Sequence, residues 1–180
     1  MVLEPARFRL HRSMRKVLQS FIAQADCTIK IDSAFAQVIL ACASIRRRGT
    51  HSTWIVPEMV SAYIDLHRAG LAHSVETWVR GELVGGLYCV ALGKAVFGES
   101  MFCRKSNASK IALAALVALC RHHGVTQIDC QQNTAHLASL GASEVQRSEF
   151  LARVELACAE PPMSWHFDPL YWRELQVTAP

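Results

Sequence analysis

Ten consecutive apolar residues, Ile111 to Cys120 (I-A-L-A-A-L-V-A-L-C), constrain this chain more than any other feature. Ala and Leu favour helix, and Gly124 lies just past the run, so a helix over Lys110–His123 is predicted. A helix that is apolar on every side belongs inside a domain, packed against a sheet. It falls well short of the roughly 20 residues that cross a bilayer, as does the apolar stretch Ser33–Ile45. Three β-rich runs precede it: Ala72–Arg80, Leu83–Leu92 and Ala95–Cys103. They are separated by Gly81-Glu82 and Gly93-Lys94, short turns of hairpin type. With a further strand at Thr126–Gln131, the expected fold is α+β: a mixed, largely antiparallel sheet covered by helices.

The remaining elements follow from local pattern. Residues 1–10 read as irregular or extended, and Ser13–Ala25 as a basic amphipathic helix. Cys27–Ile31 alternates like a strand. Asp32 or Ser33 then caps a helix through about Cys42. Residues 46–52 are a polar loop. Pro57 opens a helix that Gly70 ends. Thr134–Leu140 is a short helix and Ser148–Cys158 a last one, before a tail carrying Trp165, Phe167, Tyr171 and Trp172. With 180 residues, 51% of them apolar and 19% charged, the chain supports one sizeable core and is not disordered.

Residues 1–50 hold nine Lys/Arg against three Asp/Glu, a net of +6; the rest holds ten against twelve, a net of −2. A basic lobe on a mildly acidic body suits a polyanion such as a phosphate backbone, although a solvated basic face has the same composition. Arg7, Arg9, Arg12, Arg15 and Lys16 interrupt the N-terminus before any apolar core region, so no leader is expected and the expected location is the cytoplasm. The seven cysteines form no C-x-x-C pair and read as buried reduced thiols. His122 and His123 are adjacent and cannot face one ion from a helix, and no metal site is expected.

Several residues have the chemistry of a site. Asp129 and Gln131 at a strand end share a face, where an acid and an amide orient an amine and accept its proton; an Asp there also caps the following segment. Alternation places Glu99 with Phe97 and Met101 on a largely apolar face, where a carboxylate needs a partner. Trp54 after the basic loop is placed to stack on a base, Tyr63 lies nine residues on, and both also read as core aromatics. Arg12, Arg15 and Lys16 share a helical stretch able to track phosphates. An acetyl-CoA-dependent acyltransferase of this layout carries a Gly-rich loop before the long helix. Here that stretch is Arg104-Lys105-Ser106-Asn107-Ala108-Ser109-Lys110, without glycine.

Nine ordered blocks carry a family resemblance: R-S-M-R-K (12–16), T-W-I (53–55), H-S-V-E-T-W (73–78), E-L-V-G-G-L-Y (82–88), F-G-E-S-M-F (97–102), N-A-S-K-I-A-L (107–113), I-D-C-Q (128–131), H-L-A-S-L-G-A (136–142) and P-P-M-S-W-H-F (161–167). Together they resemble the bacterial leucyl/phenylalanyl-tRNA–protein transferase family. The resemblance implies an acetyl-CoA-dependent N-acetyltransferase-like domain over residues 1–180, with the family's small N-terminal domain absent. It implies transfer of Leu or Phe from aminoacyl-tRNA to proteins with N-terminal Arg or Lys, marking them for degradation, with no cofactor and as a monomer.

By the same resemblance Asp129 and Gln131 match the catalytic pair, and Glu99 the pocket carboxylate. Trp54 matches the tryptophan on the 3′-terminal adenine, with Tyr63 nearby. Leu87, Met101, Leu113, Leu116 and Ile128 match the pocket for the Leu or Phe side chain, and Leu87 stands where the family often has Met. Arg12, Arg15 and Lys16 match the basic helix that meets the tRNA. The competing expectations are a non-catalytic aminoacyl-tRNA or N-degron binding module, and an acyl-CoA-dependent acetyltransferase.

Overall fold

A computed structural model describes residues 1–44 and 54–179. In chain order the elements are β1 (Val2–Leu3), α1 (Arg12–Ile22), β2 (Cys27–Ile31), α2 (Phe35–Ser44), α3 (Pro57–Arg68), β3 (Ala72–Val79), β4 (Glu82–Leu92), β5 (Ala95–Cys103), α4 (Ala108–His122), β6 (Ile128–Asp129), α5 (Ala135–Ser139) and α6 (Arg147–Ala159), with 3-10 turns at Pro5–Arg7 and Pro169–Leu175. The polar loop expected at 46–52 and the start of the T-W-I block lie outside the described residues.

Among the described residues six strands form one mixed sheet in the order β1-β6-β5-β4-β3-β2. β2 to β5 are antiparallel neighbours, β5 and β6 run parallel, and β6 pairs antiparallel with β1. The α+β expectation holds. Both faces are covered. α4 lies on one, in a core with Val75, Leu87, Leu113, Leu116 and Ile128; α2 and α3 pack on the other around Phe35, Val38, Ile39, Tyr88 and Phe102. Double coverage explains why Leu83–Cys89 of β4 is buried without a break and shows no alternation.

α4 is the centre of the fold, with Ile111 to Cys120 all buried. It sits close on the sheet because Gly85 has no side chain: a Cβ there would lie 2.5 Å from that of Ala108. Thr77 of β3 donates its hydroxyl to the Ala108 carbonyl at 2.9 Å. At the far end Arg121 donates to the Pro5 and Glu174 carbonyls, at 2.6 and 2.5 Å, which ties both chain ends to the helix.

Two expectations are corrected, and one open alternative is decided. The strand drawn over Thr126–Gln131 shrinks to Ile128–Asp129, because Gln131 adopts a left-handed backbone (φ +59°) that leaves the sheet. The extended alternative for the N-terminus holds at Val2 and Leu3, which pair with Asp129 and Ile128. The second helix starts at Phe35 because Asp32 is itself left-handed (φ +56°), and its carboxylate accepts the Ser74 N–H at 2.7 Å. No described helix is long and apolar enough to cross a membrane.

Candidate active site

Two interruptions in the sheet build the site. Across β4 and β5, Leu87 opposes Met101 and Tyr88 opposes Ser100, but Cys89 opposes Gly98. Glu99 is therefore the extra residue of a bulge, and a bulge re-aims the side chain it inserts. The alternation that grouped Glu99 with Met101 fails at this point. Met101 packs with the α4-side core, whereas Glu99 accepts a 2.9 Å hydrogen bond from the hydroxyl of Tyr63 on α3. The partner that an apolar setting demanded of Glu99 is thus a phenol.

The second interruption is the parting of the parallel pair. β5 and β6 pair only at Val96–Ile128 and Phe97–Asp129. Beyond them β5 continues to Cys103 while the turn at Gln131 carries the other strand away. The opening is a cavity of about 540 Å³, within the usual range for a small-molecule pocket. Leu87, Met101, Leu113, Leu116 and Ile128 line its apolar part, Glu99 and Gln131 its polar side, and Trp54 its rim. Trp54 is 41% exposed, so its ring is free to be covered by a ligand.

Asp129 does not line the cavity. Its carboxylate accepts the Gln131 N–H at 2.9 Å, which holds the turn that presents Gln131. Tyr63 likewise acts through Glu99, and its ring meets the buried Tyr88 edge-on at 5.0 Å. Burial first, then the hydrogen bond and negative charge of Glu99, push the Tyr63 phenol well above its ordinary value. It stays protonated and remains a donor to the carboxylate.

Arg12, Arg15 and Lys16 are not brought to the cavity. Arg15 donates to the Leu175 and Gln176 carbonyls, at 3.2 and 2.6 Å, fastening α1 to the tail; Arg12 and Lys16 are exposed. The start of α1 nevertheless abuts α5, where the His11 ring meets the Ser139 carbonyl at 2.9 Å.

Sequence reasoning missed Ser100, Cys130, Gln132, His136 and Leu137 as lining residues. The only available signal was that I-D-C-Q and H-L-A-S-L-G-A sit close together in the chain. Burial, and then the charge of Lys110, lower the His136 pKa, which favours the neutral ring. Cys130 is pushed up to about 11 by burial and then by the Asp129 carboxylate.

The uniform picture of buried thiols is corrected: Cys42, Cys89 and Cys120 are buried, but Cys103 and Cys158 are exposed. Thiolate is the reactive form. Iodoacetamide at pH 8 is therefore expected to label Cys103 and Cys158 of the native protein. Cys89 and Cys120, whose thiols burial raises, should react only after unfolding. Labelling of native Cys120 at the rate of Cys103, read by peptide mass mapping, would contradict this.

A wider groove of about 950 Å³ lies elsewhere, walled by Lys94, Arg121 and Arg153. Its cations already have protein partners: Lys94 pairs with Glu160, and Arg153 with Glu4 and Glu149. Among the described residues no three His, Cys, Asp or Glu converge as metal ligands.

Known proteins are similar to this sequence. The profile of the family described as Leucyl/phenylalanyl-tRNA protein transferase matches residues 2–155. Proteins named leucyl/phenylalanyl-tRNA--protein transferase from Albidiferax ferrireducens and Polaromonas sp. are 63% and 59% identical over 175 residues, covering 97% of this chain and 69% of each relative. One from Leptothrix cholodnii is 54% identical over the whole chain and 71% of its own length. The chain therefore spans about 70% of these relatives. The family profile and these relatives define an enzyme of the aminoacyltransferase class. The chain belongs to the leucyl/phenylalanyl-tRNA–protein transferase family.

Proposed function

We propose that the chain moves Leu or Phe from aminoacyl-tRNA to the α-amino group of proteins with N-terminal Arg or Lys, marking them for degradation. The observation that carries this reading is the cavity between β5 and β6, apolar along Leu87, Met101, Leu113, Leu116 and Ile128 and polar at Glu99 and Gln131. Its apolar part fits a Leu or Phe side chain and rejects charged ones by desolvation. Trp54 at the rim stacks on the terminal adenine, and Tyr63 holds Glu99.

An aminoacyl ester is already activated, so the enzyme mainly supplies proximity and control of a proton. The acceptor amine, as free base, attacks the ester carbonyl. The new amide bond forms, the ester bond breaks, and the tRNA ribose hydroxyl leaves with a proton. Gln131 contacts the amine, Asp129 positions Gln131 and supports loss of the amine proton, and Glu99 places a negative charge beside the cationic acceptor. The exposed Arg12 and Lys16 form the basic face toward the tRNA, and Arg15, as a binding residue of the same helix, reaches it only with the part of its guanidinium that the tail carbonyls leave over. In this reading residues 1–180 are one acetyltransferase-like domain, acting as a cytoplasmic monomer.

The loop before α4 argues against an acyl-CoA donor. The Arg104 and Lys105 N–H groups both donate to the Val84 carbonyl, so neither is turned to a pyrophosphate.

A stable 3′-amide analogue of leucyl-adenosine tests the pocket. At a hundred times its Kd it should stabilise the fold by about 2.7 kcal/mol, several degrees in Tm, while acetyl-CoA gives no shift. Trp54→Ala should weaken the analogue by about 1–3 kcal/mol. A shift with acetyl-CoA and none with the analogue would overturn the assignment.

A further inference from the structure

A second groove, of about 500 Å³, lies on the other side of α5. It is lined by Arg7, Arg9, Ala138, Gly141, Ala142 and Ser143. The two segments are pressed together by backbone contacts. The Arg9 N–H donates to the Leu140 carbonyl at 2.8 Å. Gly141 has a left-handed backbone (φ +99°), and a Cβ there would stand 2.5 Å from the Arg7 carbonyl oxygen. The floor is thus made of small residues, and Arg7, Arg9 and Ser143 complete the lining. Among the described residues no carboxylate lines it. Glu4 does reach Arg7 at 3.0 Å, but Arg153 shares the same carboxylate at 3.0 Å, so the groove keeps a net positive charge.

Two arginines over a small-residue floor match a phosphate, because planar guanidinium forks bind its oxygens in pairs. Position narrows the source of that phosphate. His136 and Leu137 of α5 line the aminoacyl cavity, and Ala138 lines this groove. One helix therefore separates the two, a thickness of roughly 10 Å. The exposed Arg12 follows Arg9 in sequence, beyond the His11–Ser139 contact that joins α1 to α5, and the exposed Lys16 stands one helical turn further on. Arg9, Arg12 and Lys16 thus follow one another along one segment that touches α5.

We propose that the Arg7–Arg9 groove holds a backbone phosphate of the unpaired acceptor end of the tRNA, a few nucleotides from the esterified adenosine. The assignment rests on the aminoacyl-tRNA reading of the neighbouring cavity. Arg9 and Arg7 are then binding residues for the donor's backbone, and they favour a polynucleotide donor over a bare aminoacyl-nucleoside.

Two donors separate the groove from the cavity: Leu-tRNA, which carries the upstream phosphates, and leucyl-adenosine, which does not. In Arg9→Ala the rate with Leu-tRNA, divided by the rate with leucyl-adenosine, should fall about tenfold. The slope of log Kd for uncharged tRNA against log salt should drop by about one unit, and Arg9→Lys should keep most of that slope. An unchanged ratio in the Arg7→Ala/Arg9→Ala double variant, or an equal fall with both donors, overturns the groove. If wild-type protein transfers from neither donor, the proposed function fails, and the salt slope alone decides the groove: loss of one unit supports it and no change refutes it.

Discussion

Asp129→Ala is expected to slow transfer from Leu-tRNA by two to four orders of magnitude while tRNA affinity changes less than twofold. That range is what a positioned proton-handling group contributes. In the structure Asp129 stands outside the cavity and holds the Gln131 N–H, so alanine removes the carboxylate and also frees the turn that presents Gln131. Asp129→Asn separates the two roles. Its amide oxygen still accepts the Gln131 N–H, but the charge is gone. Proton handling requires Asn to fall nearly as far as Ala and to alter the dependence of rate on pH. Wild-type rates in Asn, with Ala inactive, would reduce Asp129 to a holder of the turn. Unchanged rates in Ala would remove it from the reaction.

Glu76→Ala should destabilise the fold by about 3–5 kcal/mol, the largest stability effect expected of a single polar side chain here. Glu76 lies on β3 and is fully buried. One oxygen accepts the Ala34 N–H at 2.7 Å and the Ser74 hydroxyl at 2.8 Å. The other accepts the Ser33 hydroxyl and the Trp78 indole N–H, the latter at 2.9 Å. Ala34 immediately precedes α2, so the carboxylate also sits where a helix N-terminus favours negative charge. Alanine orphans buried donors across β3 and the start of α2.

Against a total stability of about 5–15 kcal/mol, that loss takes much of the margin. Glu76→Gln should cost roughly half as much. Its amide oxygen keeps two donors, and the Ser33 hydroxyl can turn to accept, but the Trp78 N–H then faces an N–H₂ group. Urea unfolding reads both variants. A loss under 1 kcal/mol for Glu76→Ala would mean that the donors find other partners.

The parts of the fold legible in sequence were those with local signatures. The apolar run of α4, the glycine turns of the meander and the proline opening α3 each specify their element without distant help. Pairing of Val2 and Leu3 with β6 joins residues more than a hundred apart through two-residue strands, too short to show any period. The bulge at Glu99 inserts one residue and reverses parity, and nothing in F-G-E-S-M-F states where the parity changes.

The site divides the same way. Leu87, Met101, Leu113, Leu116 and Ile128 are ordinary core residues by type, and only the family blocks marked them as lining. What makes them a pocket is the parting of β5 from β6 at Asp129, a property of two strands together. Arg15 shows the converse: a basic residue on a basic helix whose guanidinium is engaged by tail carbonyls.

The most direct measurement is transfer of labelled Leu from Leu-tRNA to a peptide with N-terminal Arg, using this 180-residue chain and, as control, a peptide with N-terminal Asp. The account expects label on the Arg peptide and none on the Asp peptide. A folded protein that binds Leu-tRNA and leaves both peptides unlabelled would contradict it, and would make the cavity a binding site without transfer.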